Sequence, residues 1–308
     1  MDGPGDGVLV VDKPAGPTSH DVVDRVRRAL GLRRVGHTGT LDPFATGVLP
    51  VCLGKATRLA RFLGEGDKLY RATVRLGFAT TTDDATGAPI GEPRPVRLDP
   101  VSVEGALAGL TGPLEQVPPR YSAKRVGGRR LYELARRGEE GRRLAARVTV
   151  HAIALLVAEE DRLEIEVRCS PGTYVRALAR DLGEKLGVGA HLSALRRLRS
   201  GAFALDEAVP ADRLGPESWG SLIPMSALLP EMPAVQVGSD GRSAVAHGRD
   251  LSGALGPAGF PAEAPPTRVR ILGEDGVLLA LAVPRGFGPS VPGLPREPVW
   301  HPDVVLAD

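Results

Sequence analysis

Chemistry-capable residues converge in the stretch Gly36-His37-Thr38-Gly39-Thr40-Leu41-Asp42-Pro43-Phe44-Ala45-Thr46-Gly47-Val48-Leu49-Pro50. Its glycines and prolines predict a turning backbone rather than a long helix or strand. One acid, Asp42, stands at the centre, and Pro43 biases it toward an extended conformation. A carboxylate on such a loop, beside His37, is a candidate reaction centre. Taken alone, Asp42-Pro43 reads more readily as a turn aspartate bonded to its own backbone.

Arg176 is the second residue out of place. It falls in the first turn of a predicted helix, capped by Thr173 and running to Leu186. There the helix dipole disfavours a cation by up to ~1 kcal/mol. Val175, Leu178, Leu182 and Leu186 form the apolar stripe, and Arg176 lies one position off it. A carboxylate partner would relieve the cost, and Asp42 is available. A two-point pair would orient that carboxylate and lower its pKa by roughly 1–3 units. A solvated arginine is the alternative this pattern leaves open.

Several elements must carry these groups. Residues 7–11 read as a strand ending at Lys13-Pro14. Thr18 or Ser19 then caps a helix with Val22, Val23, Val26 and Leu30 at helical spacing, acids early and arginines late. A short helix is expected over 56–63. Residues 69–76 alternate, placing Tyr70, Ala72, Val74 and Leu76 on the inward face of a strand. A helix is predicted over 99–110 and strands over 148–157 and 162–169. Prolines and glycines become dense beyond residue 210, with strands predicted at 269–272 and 277–283. The organisation expected is an α/β chain. Residues 1–230 form a mixed-sheet catalytic domain with a basic insertion over about 112–147, and residues 231–308 form a small β-rich domain.

Composition narrows the classes. The 308 residues are 42% hydrophobic and 25% charged, which fits a globular protein. No apolar run reaches membrane-spanning length, and the first residues carry acids where a secretory signal needs basic ones, so a cytoplasmic protein is expected. Cys52 and Cys169 stand far apart in apolar contexts, as reduced buried thiols do. The six histidines show no metal-ligand spacing. Gly54-Lys55 hints at a phosphate loop, but its distance from Gly47 is wrong and Ala56 replaces the Ser or Thr that would hold magnesium. Net charge is only +2, yet residues 120–147 hold ten basic residues against three acids. That strip is a candidate polyanion contact, with a solvated charged face as the plainer reading. Residues 231–308 carry six arginines and nine acids.

The motif Gly36-His37-Thr38-Gly39-Thr40-Leu41-Asp42-Pro43 resembles the active-site motif of the TruB family of tRNA pseudouridine synthases. Further motifs follow in the family's order: Val11-Asp12-Lys13-Pro14 with Thr18-Ser19, Asp67-Lys68-Leu69-Tyr70, Gly172-Thr173-Tyr174-Val175-Arg176 with Asp181-Leu182-Gly183, and Leu195-Arg196-Arg197. Pro119-Arg120-Tyr121-Ser122-Ala123-Lys124 resembles the start of the family's RNA-gripping insertion.

The resemblance implies isomerisation of the T-loop uridine at tRNA position 55, with no metal, redox cofactor or nucleotide. It implies Asp42 as nucleophile, Arg176 as its orienting ion pair, and Tyr70 as a stacking surface that also helps remove the carbon-5 proton. Leu195 and Tyr174 would contact the target base, and His37 the extruded nucleotide or the space it leaves. Lys13 would touch phosphate or buttress the loop. Arg120, Lys124, Arg129 and Arg130 would meet backbone phosphates. A PUA-like C-terminal fold, a tRNA T-arm as partner and a monomer needing no protein partner are expected. The alternatives are a non-catalytic or dual-role tRNA-binding protein and a guide-RNA-dependent synthase.

Overall fold

A computed structural model describes residues 5–97, 99–122, 125–126, 129–130, 139, 143–251, 266–287 and 298–307. The main strands of the larger sheet are β1 (Gly7–Lys13), β2 (Val35–His37), β3 (Thr46–Leu53), β4 (Lys68–Leu76), β5 (Gly112–Gln116), β6 (Ala146–Glu159), β7 (Arg162–Cys169) and β8 (Ala190–Ser200). Their spatial order is β1-β3-β8-β4-β7-β6-β5, with β2 on the edge of β3. All these neighbours are antiparallel except β3 and β8, which pair parallel at Thr46 and Arg196 and at Gly47 and Arg197.

The alternation in β4 has the expected outcome: Tyr70, Ala72, Val74 and Leu76 are buried while Arg71 and Arg75 are exposed. Helix α1 (Ser19–Ala29) starts at a capping box in which Thr18 accepts from the Asp21 backbone and Asp21 bonds back. After a 3-10 turn at Gly54–Leu59 comes α2 (Ala60–Leu63), followed later by α3 (Pro100–Ala108) and α4 (Val175–Lys185).

Four expectations need correction. Residues 46–53 form a strand despite Gly47 and Pro50, because Gly47–Leu53 are buried on both faces and so show no alternation. Strand β8 was not legible, its sequence being interrupted by three arginines. Helix α4 has Tyr174, not Thr173, at its N-cap; the Thr173 hydroxyl turns back to donate to the Ser170 carbonyl at 2.9 Å. Residues 112–116 and 146–147 belong to the sheet, as β5 and the start of β6, so the inserted segment runs over 117–145.

A second sheet comprises β9 (Ala234–Val237), β10 (Val269–Gly273), β11 (Leu278–Phe287) and β12 (Pro298–Val305), in that order, with α5 (Ser239–Ala246) against it. The larger sheet therefore has two different covers. Leu9, Val11, Leu49 and Val51 lie in the core shared with α1 and α4. Val8, Val10, Val48 and Cys52 point the other way and pack with Leu278, Leu281, Val304 and Leu306 of the second sheet. Arg61 and Arg268 flank the Phe62 ring at this junction, and both pair with Asp303.

Candidate active site

The chain from Thr38 to Ala45 links β2 to β3 and is fastened mainly by its carbonyls. Ser19, the first residue of α1, exchanges two hydrogen bonds with the backbone of Leu41 at 2.8 and 3.0 Å. The Gly16 amide donates to the Pro43 carbonyl at 2.8 Å. Lys13 is fully buried at the end of β1, and its ammonium donates to the carbonyls of Pro14, Pro43 and Ala45 at 2.9, 3.1 and 2.7 Å. Its donors are thus consumed inside the protein. They hold the loop that carries Asp42 to the end of β1. Burial lowers its pKa to about 8 against the opposing charge of Asp42.

Arg197 does the same work from the other side. It is 1% exposed, and its Nε donates to Val48 O at 2.7 Å and its Nη2 to Gly39 O at 3.1 Å. On β8 it stands opposite Gly47 in β3 and opposite Tyr70 in β4. Gly47 has φ +102°, and a Cβ there would lie 2.2 Å from the Arg197 carbonyl. The element that approaches Gly47 so closely is β8. Arg197 was missed as a site residue, although a signal existed. It is two residues after Leu195 on one strand, so an inward Leu195 brings Arg197 inward too.

Asp42 and Arg176 meet as expected. Arg176 is 4% exposed; its Nη2 donates to Asp42 Oδ1 at 3.0 Å and its Nε lies 2.9 Å from Oδ2. The guanidinium is held in turn by the carbonyls of Thr82 and Tyr121 at 3.0 and 2.8 Å, and by a second buried acid, Asp84, at 3.3 Å. Asp84 is another residue the sequence reading passed over, hidden in the polar run Thr80–Thr86. Burial raises the Asp42 carboxyl above its ordinary value, with Arg176 pulling against it. The net direction reverses the lowering predicted from the pair alone, because the desolvation of the loop outweighs the guanidinium.

These groups open into a cavity of about 300 Å³, lined among others by Asp42, Tyr70, Arg176, Leu195, Tyr174 and Lys68. That volume is at the lower end of the range for small-molecule sites. Burial raises the phenol pKa of Tyr70, with Arg197 opposing, so it is neutral at pH 7. Lys68 donates to the Gly64 carbonyl at 3.0 Å and also to Gly66. His37 does not line the cavity; it lies on β2 opposite Val51. Arg120 is exposed on the segment leaving β5. Arg129 and Arg130 form a two-residue strand with Arg125 and Val126, while Lys124 lies outside the described residues.

The Asp42 carboxylate, held by a buried arginine, thus shares one cavity with an aromatic ring and a leucine. Residues 27–175 match the family model described as TruB family pseudouridylate synthase (N terminal domain), and residues 176–219 match tRNA pseudouridylate synthase B C-terminal domain. A curated relative from Aromatoleum aromaticum, named tRNA pseudouridine synthase B, is 48% identical over 273 residues, covering 87% of this chain and 86% of its own. The chain belongs to the TruB family. A TruB relative of the same name from Symbiobacterium thermophilum is 50% identical over 246 residues, 79% of this chain and 82% of that one. The TruB fold is also shared with a solved H/ACA RNP bound to a substrate RNA containing 2'-deoxyuridine, with a TM-score of 0.71 and 26% identity over 98% of this chain and 85% of that one. The two TruB models meet at Arg176, inside α4, so their join is not a boundary between structural units.

Proposed function

We infer that this chain converts a uridine of tRNA to pseudouridine, with Asp42 as the nucleophile. The observation that carries the reading is the buried Arg176 delivering the Asp42 carboxylate into a cavity walled by Tyr70 and Leu195. The curated relatives carrying the name tRNA pseudouridine synthase B support the tRNA substrate. The bond between N1 of the uracil and C1′ of the ribose breaks, the base turns, and C5 bonds to C1′. C5 then loses its proton and N1 gains one, so atoms and electrons balance without an oxidant, a reductant or water.

Each wall of the cavity has a part. Arg176 orients the carboxylate and Tyr70 stacks on the uracil, a contact worth about 1–3 kcal/mol. The phenol oxygen of Tyr70 helps remove the carbon-5 proton, passing on its own proton as it accepts that one, so the group is a phenol before and after the step. Leu195 and Tyr174 hold the base, which leaves its stack in the T-loop at position 55 to reach the cavity, a cost of a few kcal/mol. Arg120, Lys124, Arg129 and Arg130, on the 117–145 segment, contact backbone phosphates of the RNA. Residues 231–308 act as a PUA-like RNA-binding module after a catalytic unit ending near 230, and the protein acts in the cytoplasm as a monomer without a protein partner.

Tritium release from carbon-5-labelled uridine in tRNA tests the reading. The purified chain should release tritium alone, and Asp42→Ala should lose release while still binding tRNA. Release that survives Asp42→Ala overturns the mechanism. A T-arm stem-loop should be a substrate where an unrelated hairpin is not; equal rates on both would overturn the T-loop assignment.

A further inference from the structure

Arg176 has a companion one turn along α4. Consecutive acids of the 80–87 loop divide between the two arginines: Asp84 Oδ2 lies 3.3 Å from Arg176 Nη1, and Asp83 Oδ2 lies 3.1 Å from Arg180 Nη1. The side chains of Arg180 and Asp83 are only 18% and 14% exposed, so this is no surface pair. Asp83 has φ +61°, in the left-handed region that side chains other than glycine visit at a cost. Such a conformation persists where the surroundings impose it. Here Arg180 on one side and the Asp84 turn on the other do so.

The same two arginines also hold the segment leaving β5. Arg180 Nη2 donates to Val117 O at 3.2 Å, and Arg176 Nη2 donates to Tyr121 O at 2.8 Å. Just before them, the Gln116 side chain exchanges two hydrogen bonds with the backbone of Tyr174, at 3.1 and 2.8 Å. Arg180 is kept in place by Asp181, which accepts from its Nε at 2.9 Å and its Nη2 at 2.7 Å. One face of α4 thus clips two chain segments together, and both reach the reacting pair through Arg176.

We propose that Arg180 is a positioning residue for the reaction: through Asp83 and Val117 it fixes the acid loop and the root of the 117–145 segment against α4, and so fixes the angle at which Arg176 presents Asp42. The proposal rests on Asp42 and Arg176 being the reacting pair. Arg180 does not line the cavity, so its effect is on geometry and not on binding. Misplacement of a reacting group by a fraction of an ångström costs rate steeply, on the order of a hundredfold per ångström.

The test is single-turnover tritium release by the full chain, with tRNA affinity and thermal unfolding measured in parallel. Arg180→Gln and Asp83→Asn should each lower the rate constant by about tenfold, leave tRNA affinity within about twofold and keep the fold. Because the two act as one pair, the double variant should lose no more than either single one. Wild-type rates in both single variants, or losses that multiply in the double, overturn the proposal. So does a rate loss fully accounted for by the unfolded fraction. Should Arg180→Gln fail to fold, Asp83→Asn, which keeps the side chain's shape, carries the same test. Asp42→Ala serves as the control: its activity would refute the reacting pair itself, whereas an inactive Asp42→Ala beside fully active Arg180 and Asp83 variants refutes only the role of Arg180.

Discussion

Asp42 and Arg176 are joined across 134 positions of sequence by one hydrogen bond, Nη2 to Oδ1 at 3.0 Å, and one close approach, Nε to Oδ2 at 2.9 Å. Among the described residues no acceptor is aligned with Nε. The arginine therefore orients the carboxylate without saturating it, which leaves Oδ2 its lone pairs for the attack proposed above. Binding of this kind fixes a nucleophile's direction while leaving its reactivity intact.

The acid limb of the rate follows from the same pair. As the proposed nucleophile Asp42 has to be ionised, and burial raises its pKa above the ordinary 3.8 while Arg176 lowers it. The single-turnover rate should thus fall as pH drops through a value above the usual aspartate range. Removing Arg176 removes a lowering influence, so Arg176→Ala should move this limb to higher pH besides lowering the plateau. A rate–pH profile of each protein checks both statements, and an acid limb unmoved by Arg176→Ala would contradict them.

Lys13 should matter for stability more than for chemistry. Lys13→Met takes the ammonium donor from the carbonyls of Pro14 and Ala45 and leaves the Pro43 carbonyl with the Gly16 amide alone. A buried group left unsatisfied costs about 1–3 kcal/mol, so a clear fall in Tm is expected. The pH dependence has a definite sign. The folded pKa of about 8 is below the 10.5 of the unfolded chain, so the unfolded state binds more protons between these values. This group's contribution to stability therefore rises with pH across that window, and Lys13→Met should lose the rise. Parallel melts of both proteins from pH 7 to 10 measure it.

Gly47 offers a sharper test of packing. Alanine there meets a left-handed φ of +102° and a carbonyl at 2.2 Å, that of Arg197. Backbone strain alone costs more than about 1 kcal/mol at such a position, and relief would push β3 and β8 apart beside Tyr70. Gly47→Ala should lower both Tm and activity. Gly36→Ala, whose nearest neighbour would be Thr57 Cγ2 at 4.0 Å, should do far less. Chemical denaturation of the two variants discriminates, and equal losses would show that strand spacing is not the cause.

How much of this was legible in the sequence depended on what each residue had to reveal itself. Asp42, Arg176 and Tyr70 announced themselves through misfit or alternation: an acid among turn residues, a cation at the wrong helix end, a tyrosine on an inward face. Strands β3 and β8 gave no such signal, since one is buried on both faces and the other is studded with arginine. Arg197 looked like an ordinary cation, and Lys13 was marked only by the family resemblance, because only a folded chain brings backbone carbonyls to them. The Asp42 pKa could not be signed either. Its direction depends on how much water the surrounding loop removes, and pairwise reasoning does not supply that quantity.

The second sheet should prove inseparable from the first. Removing residues 231–308 to test an RNA grip would also uncover Val8, Val10, Val48 and Cys52, which pack with Leu278, Leu281, Val304 and Leu306. Burying one such aliphatic side chain contributes about 1.5–3 kcal/mol, and several together rival the roughly 5–15 kcal/mol that keeps a domain folded. The truncated chain is expected to melt at lower temperature and to bind a hydrophobic dye, and to lose activity through lost packing as well as through lost RNA contacts. A truncated chain with the full-length Tm would show that this junction contributes little. Substituting Leu281 by Asp in the full chain distinguishes the two causes, because it breaks the junction while leaving every exposed residue of the module in place. It should reproduce the loss of Tm without removing any surface that could meet RNA.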